Sequence, residues 1–239
     1  MKKKSINPRE IYNARASLQD YCRLEDVTED FAKILIAFED PRFYSHRGID
    51  FVEIRNSFAE ALKGKPLLGM STIPQQLVKN LFFSFERSWS RKIKEAFLTL
   101  RFTKELSREE LLELYMNVIY YDNGQYGIMN ASKFYFNKTP DKLTINQSVF
   151  LCNILPIDGI YNPFYHPEDF ARFRNRKMKS IEKELNAISE RIIPEAERHT
   201  AQCLDEELCN PSEETKKYDT KGPMINERFG PGGSEPLVR

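Results

Sequence analysis

Glycine is scarce in this chain, at 10 of 239 residues. That argues against a turn-rich, all-β architecture. Tryptophan occurs once, although phenylalanine (17) and tyrosine (11) are plentiful. The four cysteines, Cys22, Cys152, Cys203 and Cys209, form no C-x-x-C pair. Four in a chain of this length do not make a disulfide scaffold, although a Cys203–Cys209 bridge stays open. The three histidines, His46, His166 and His199, are far apart, so no structural zinc spacing emerges. Charge of one sign is also missing. With 30% charged residues the net charge is only +1. A global basic field is absent, and no nucleic-acid partner is expected. Nor is there a run of about 18 uninterrupted apolar residues. Three lysines open the chain, but no apolar segment of the signal-peptide kind follows them. The chain therefore reads as carrying neither an export signal nor a membrane anchor.

What is present is helical period, in a chain long enough to bury a real core. Residues 1–27 read as a polar lead-in with room for a short helix. Thr28–Phe38 follows as a helix with Phe31, Ile34, Leu35 and Phe38 on one side, broken by Pro41. Asp50 is placed to cap a helix that lines up Phe51, Ile54, Phe58, Ala61 and Leu62. Ser71 or Thr72 opens the next, Ser71–Phe83, with Pro74 tolerated in its first turn. Trp89–Lys104 puts Ile93, Ala96, Phe97 and Leu100 on its apolar side. Ser107–Glu110 spells a capping box, Asp122-Asn123-Gly124 a turn, and Tyr126–Phe136 and Thr144–Leu155 two more helices. A short strand around Val118–Tyr121 is the one competing signal. Asp158–Pro167 reads as a loop, Glu168–Ile193 as a long basic helix, and Glu195–Leu208 as one more. From Asn210 the apolar residues thin out while Gly and Pro accumulate, so 210–239 reads as a disordered tail.

Four stretches carry chemistry. In Ile34–Asp50 an apolar run ends in Glu39 and Asp40, followed by Phe43, His46 and Gly48. A carboxylate at such an edge can be tuned into a general acid or base. In Gly69–Phe82, Gln76, Lys79 and Asn80 share one helical face behind Ser71 and Thr72. That set suits sugar hydroxyls and phosphate, and equally an ordinary cap with a solvated face. In Arg87–Phe97, Arg87, Arg91, Lys94 and Glu95 fall within two turns. They form either a surface ion-pair ladder or a cationic pocket for pyrophosphate with a carboxylate inside it. Phe82, Phe83, Phe85 and Trp89 lie beside them, as core or as an apolar rim that dips into a membrane. The fourth stretch is Glu110–Gly127.

Together these stretches resemble the peptidoglycan glycosyltransferase family, the polymerase module of bifunctional penicillin-binding proteins that also exists as a monofunctional enzyme. The family's E-D-x-x-F-x-x-H-x-G is matched from Glu39 to Gly48. Its G-x-S-T-I-x-x-Q-L-x-K-N is matched from Gly69 to Asn80. Its R-K-x-x-E is met by Arg91, Lys92 and Glu95, and L-L-E-L-Y-M-N by Leu111–Asn117. A Y-N-P follows at Tyr161–Pro163. The pattern departs at Thr99 and Thr103, where the family usually has Ala and Glu. It departs again in Phe173–Met178, where Lys177 replaces an apolar residue. These are read as packing positions. Ser180–Lys183 spells S-x-x-K, but no K-T-G accompanies it and it is read as chance.

The resemblance implies a mainly α, lysozyme-like fold with a helical head and a small membrane-facing jaw, over residues 28–209. It implies polymerisation of lipid II, at the extracytoplasmic face of the bacterial cytoplasmic membrane, into a growing glycan strand. Glu39 would be the general base and Glu95 the second essential carboxylate. Lys79, Arg87 and Lys94 would hold the pyrophosphate, with Arg91 and Lys92 adding charge. Asp40, Ser71, Gln76 and Asn80 would position sugars and backbone. Phe43 and His46 would shape the loop. No cofactor is required, although a divalent cation such as Mg or Mn beside Glu95 stays open. Membrane contact would run through Phe82, Phe83, Phe85 and Trp89, and other cell-wall synthesis proteins are possible partners. Two alternatives stand beside this reading: a non-catalytic lipid II or cell-wall-enzyme binding relative, and a lysozyme-like glycan-cleaving enzyme.

Overall fold

The computed structural model describes residues 6–64, 71–83, 88–155 and Arg172. Outside the described residues lie Gly69, Phe85, Arg87, Cys203, Cys209, His166 and His199. So do the loop and the Y-N-P at 158–167, the long basic helix, the helix at 195–208, the S-x-x-K and the tail.

Among the described residues the chain is mainly α, with eight α-helices and two short 3-10 turns. The chain divides into two compact units. Among the described residues, one contains 6–21 together with Arg42–Val118, and the other Cys22–Pro41 together with 119–155.

The first unit starts with α1 (Pro8–Ala16), capped by Asn7, whose side chain accepts from Arg9 N and Glu10 N. Asp50 caps α3 (Phe51–Ala61) in the same way, through Val52 N and Glu53 N. Thr72 opens α4 (Ile73–Phe82) with a reciprocal capping box to Gln75. Ser88 caps α5 (Trp89–Glu105), and the Ser107–Glu110 box opens α6 (Arg108–Val118). Helix α4 packs on both α5 and α6. Ile73, Leu77, Val78, Phe102, Leu111, Leu112, Leu114 and Met116 are buried on these helices. Helix α1 docks on α5 and α6 through polar contacts. Arg9 pairs with Glu110, and Tyr12 and Tyr21 donate to the buried Glu113 carboxylate at 2.9 and 3.3 Å.

Two apolar stripes of this unit face outward. On α3, Phe51, Phe58 and Leu62 are exposed. On α5 the stripe foreseen from the period exists, but Trp89 (88% exposed), Ile93 (70%) and Phe97 (69%) point to the outside together with Leu100. The buried side of α5 is Glu95, Thr99 and Phe102.

The loop from Arg42 to Asp50 is fixed from several directions. Phe43 is fully buried, with the Arg108 guanidinium 5.4 Å from its ring centre. The buried His46 accepts from Gly48 N through Nδ1 at 3.0 Å. Arg42 Nε donates to Asp50 at 2.7 Å. Gly48 has φ +103°, and its carbonyl accepts from Thr72 Oγ1 at 2.5 Å.

In the second unit, α2 (Glu29–Glu39) is capped by Thr28 and buries Phe31, Ile34, Leu35 and Phe38, as its period foretells. It packs on α8 (Ile145–Ile154), which opens with a Thr144–Gln147 capping box. Between them in sequence, α7 (Ile128–Phe136) begins after Gly127 (φ +80°) and ends at left-handed Asn137. The strand considered near Val118–Tyr121 is reduced to a single bridge between Tyr120 and Tyr126. The turn at Asp122–Gly124 takes positive φ at all three residues.

Candidate functional site

The first unit holds a buried ion cluster. Glu95, on the inner face of α5, is 1% exposed. Its two oxygens are divided between two cations of its own helix. Arg91 Nη1 donates to Oε2 at 2.8 Å from one turn away, and Lys92 Nζ donates to Oε1 at 2.5 Å. Spacings of four and three residues bring both onto Glu95's side of the helix. The surface-ladder reading of this stretch is therefore replaced by a buried carboxylate compensated on both sides.

The cluster extends beyond α5. Lys92 Nζ also donates to Ser71 Oγ at 3.2 Å, just ahead of the Thr72 cap of α4. Gln76 Nε2 donates to the Ser71 carbonyl at 3.4 Å, and Tyr115 of α6 donates to Gln76 Oε1 at 3.0 Å. The capping box of α4 fixes the backbone from which Ser71 and Gln76 project.

Among the foreseen residues of this unit, Ser71, Gln76, Arg91 and Glu95 thus come together by direct contact. Lys79 and Asn80 lie one turn beyond Gln76 on α4 and are half-buried. Three and four residues after Gln76, they share its face. Lys94 is exposed on α5. Phe82 and Phe83 are half-buried, with Phe82 edge-on to Phe102. Trp89 alone of that aromatic set is fully presented outward among the described residues.

In the second unit, Glu39 is the last residue of α2 and half-buried, and Asp40 is its buried C-cap. Asp40 N–H closes the helix on Ile36 O at 2.8 Å. Tyr121 is fully buried near Cys152, Cys22 and Glu39; burial, with those neighbours adding, pushes its phenol well above the ordinary range.

Lys92 and Tyr115 carry more of the arrangement than sequence motifs suggest. The signal for Lys92 was its position three residues before Glu95. Tyr115 stood in the L-L-E-L-Y-M-N motif, but nothing local pointed to Gln76, which lies 39 residues away.

A profile of the transglycosylase family matches residues 7–182. Penicillin-binding protein 4 of Bacillus subtilis (strain 168) is 35% identical over 171 residues, 71% of this chain and 27% of that protein. Penicillin-binding protein 1A of Aquifex aeolicus (strain VF5) is 35% identical over 184 residues, 73% of this chain and 25% of that protein. Penicillin-binding protein 1A of Escherichia coli (strain K12) is 40% identical over 153 residues, 64% of this chain and 18% of that protein. The match thus takes in about a quarter or less of each relative's length and most of this chain. With its four motifs in order on a helical fold and its buried Arg91–Lys92–Glu95 cluster, the chain belongs to the transglycosylase family.

Proposed function

We propose that this chain is a peptidoglycan glycosyltransferase that polymerises lipid II into β-1,4-linked glycan strands, with inversion and release of undecaprenyl pyrophosphate. Glu39 takes the proton of the acceptor sugar's 4-hydroxyl. That oxygen forms a bond to C1 of the donor sugar from the face opposite the pyrophosphate. The C1–oxygen bond to the pyrophosphate breaks, and the electron pair leaves with it. A pyrophosphate leaves as an anion, so it calls for cations rather than an acid to protonate it. Lys79, Arg87 and Lys94 serve that purpose. Asp40, Ser71, Gln76 and Asn80 place sugars and backbone. The scheme differs from glycoside hydrolysis in that a sugar hydroxyl stands in for water.

The observation that supports this reading most is the Glu95 cluster. Burying a carboxylate is costly unless it is paired and hydrogen-bonded. Here two cations and a tether to Ser71 compensate it, beside the polar face of α4. The reaction is proposed to need no cofactor. At Glu95 both oxygens accept from cations of the same helix, so charge that a divalent ion would supply there is supplied by Arg91 and Lys92.

The outward stripe of α5 supports contact with the membrane that holds such a lipid-linked substrate. Among the described residues no helix is long and apolar enough to cross a membrane. A contact through Trp89, Ile93, Phe97 and Leu100 is the proposed mode, at the extracytoplasmic face of the bacterial cytoplasmic membrane. Other cell-wall synthesis proteins are proposed partners there.

The test is polymerisation of lipid II in detergent by the intact chain, followed by gel separation of glycan products. Strand formation that disappears in Glu39→Gln is the expected result. Lipid II binding without turnover would select a non-catalytic relative, and soluble fragments from purified peptidoglycan a glycan-cleaving enzyme.

A further inference from the structure

We infer that Tyr115 is a positioning residue for the Glu95 cluster, acting through Gln76. This rests on the glycosyltransferase reading of that cluster. Tyr115 is buried on α6, and its hydroxyl reaches Gln76 Oε1 at 3.0 Å. Buried tyrosine hydroxyls need a partner, and a backbone carbonyl would serve the purpose of packing alone. This one goes to a side chain whose other end is also engaged.

The direction of the amide follows from its neighbours. The Ser71 carbonyl can only accept, so Gln76 turns Nε2 toward it, at 3.4 Å. Oε1 is then left to face Tyr115, which donates. The carbonyl thereby sets which way the amide points, and the hydroxyl holds its far end in place. The other end of Ser71 takes Lys92 Nζ at 3.2 Å, and the same ammonium holds Glu95 Oε1. Four contacts in series thus join α6, the start of α4 and the buried carboxylate of α5. Linked hydrogen bonds of this kind act as a unit rather than as independent pairs.

Tyr115→Phe removes the hydroxyl and leaves the ring in place. Losing one such bond is expected to lower kcat for lipid II polymerisation about five- to tenfold, with KM within about twofold. Helical circular dichroism should be retained. The decisive measurement is the double variant. If the hydroxyl acts through Gln76, Tyr115→Phe causes no further loss in a Gln76→Leu background. A purely structural hydroxyl would give two losses that multiply, and that result overturns the inference. So does a Tyr115→Phe enzyme with unchanged kcat. A second readout does not depend on turnover: backbone amide exchange across Thr72–Gln76 should quicken in Tyr115→Phe. If the wild-type chain does not polymerise lipid II, the functional reading fails while this exchange measurement still decides the coupling. Unchanged protection there overturns it.

Discussion

A β-carbon added to Gly48 would lie 2.8 Å from Thr103 Cγ2 and 2.9 Å from Thr103 Oγ1. The loop and α5 are in contact at a point where no side chain fits. The φ of +103° adds a second reason for glycine, since L side chains rarely adopt it. The Thr103 hydroxyl also reaches the Arg47 carbonyl at 3.2 Å, alongside the Thr99 and Leu100 carbonyls of its own helix, so the position that departs from the family pattern lies against the loop.

Gly48→Ala should therefore destabilise the chain by about 2–4 kcal/mol, from steric overlap and backbone strain together. Urea unfolding followed by circular dichroism measures it. Adding Thr103→Ala removes the overlapping atoms but not the strain. The double variant should recover part of the loss, and simple addition of the two losses would contradict the contact.

Glu95→Gln leaves Arg91 largely buried without its counter-charge. Breaking a buried pair from one side costs about 3 kcal/mol. Lys92 is more exposed and can turn to water. The variant should lose both stability and glycosyl transfer. Adding Arg91→Met should return a good part of the stability, read from urea midpoints, and none of the activity.

Asp50 sets a pH dependence. Burial pushes its carboxyl up, but the hydrogen bonds from Glu53 N–H, Arg42 and Val52 N–H, with the charge of Arg42, outweigh that and hold it below the ordinary value. A carboxyl lowered in the folded state stabilises above its unfolded pKa, about 4. The contribution disappears as pH falls through the lowered native value. Asparagine caps helices about as well as aspartate, so Asp50→Asn isolates the charge. The wild-type advantage should be about 1 kcal/mol at pH 7, since Arg42 is half-exposed, and should shrink below pH 4 in thermal melts.

The α5 stripe predicts a change in binding without a change in folding. Ile93→Glu and Phe97→Glu should each weaken co-sedimentation with phosphatidylglycerol-containing vesicles about tenfold, as expected for withholding one large apolar side chain from the bilayer edge. Melting temperatures should hold, because both side chains are exposed. Undiminished vesicle binding by both variants would remove the stripe as the contact.

Helix positions were legible because caps are local. Thr28, Asp50, Thr72, Ser107 and Thr144 mark their helix starts by hydrogen bonds that reach only a few residues. Orientation was less legible. Period located the stripe of Ile93, Phe97 and Leu100 but could not say which medium it faces. The side that α5 buries holds a charge, Glu95, which an apolar count passes over. The Arg91–Glu95 pair could be read from its spacing, whereas its burial depends on α4 and α6. Tyr115 to Gln76 and Thr103 to Arg47 join residues far apart in the chain, and only the fold brings them together.

The hydroxyls of Tyr12 and Tyr21 closing on Glu113 have a consequence for where this domain can be cut. A shortened chain that starts after Tyr21 would strand a carboxylate in the interior of α6 with two of its donors removed, and Glu110 would lose Arg9. Stability lost on such trimming would come from weakened hydrogen bonding of a buried carboxylate as well as from the missing helix. The polar opening stretch is thus a clasp on the domain, and any version prepared for enzymology should keep it from Asn7 onward.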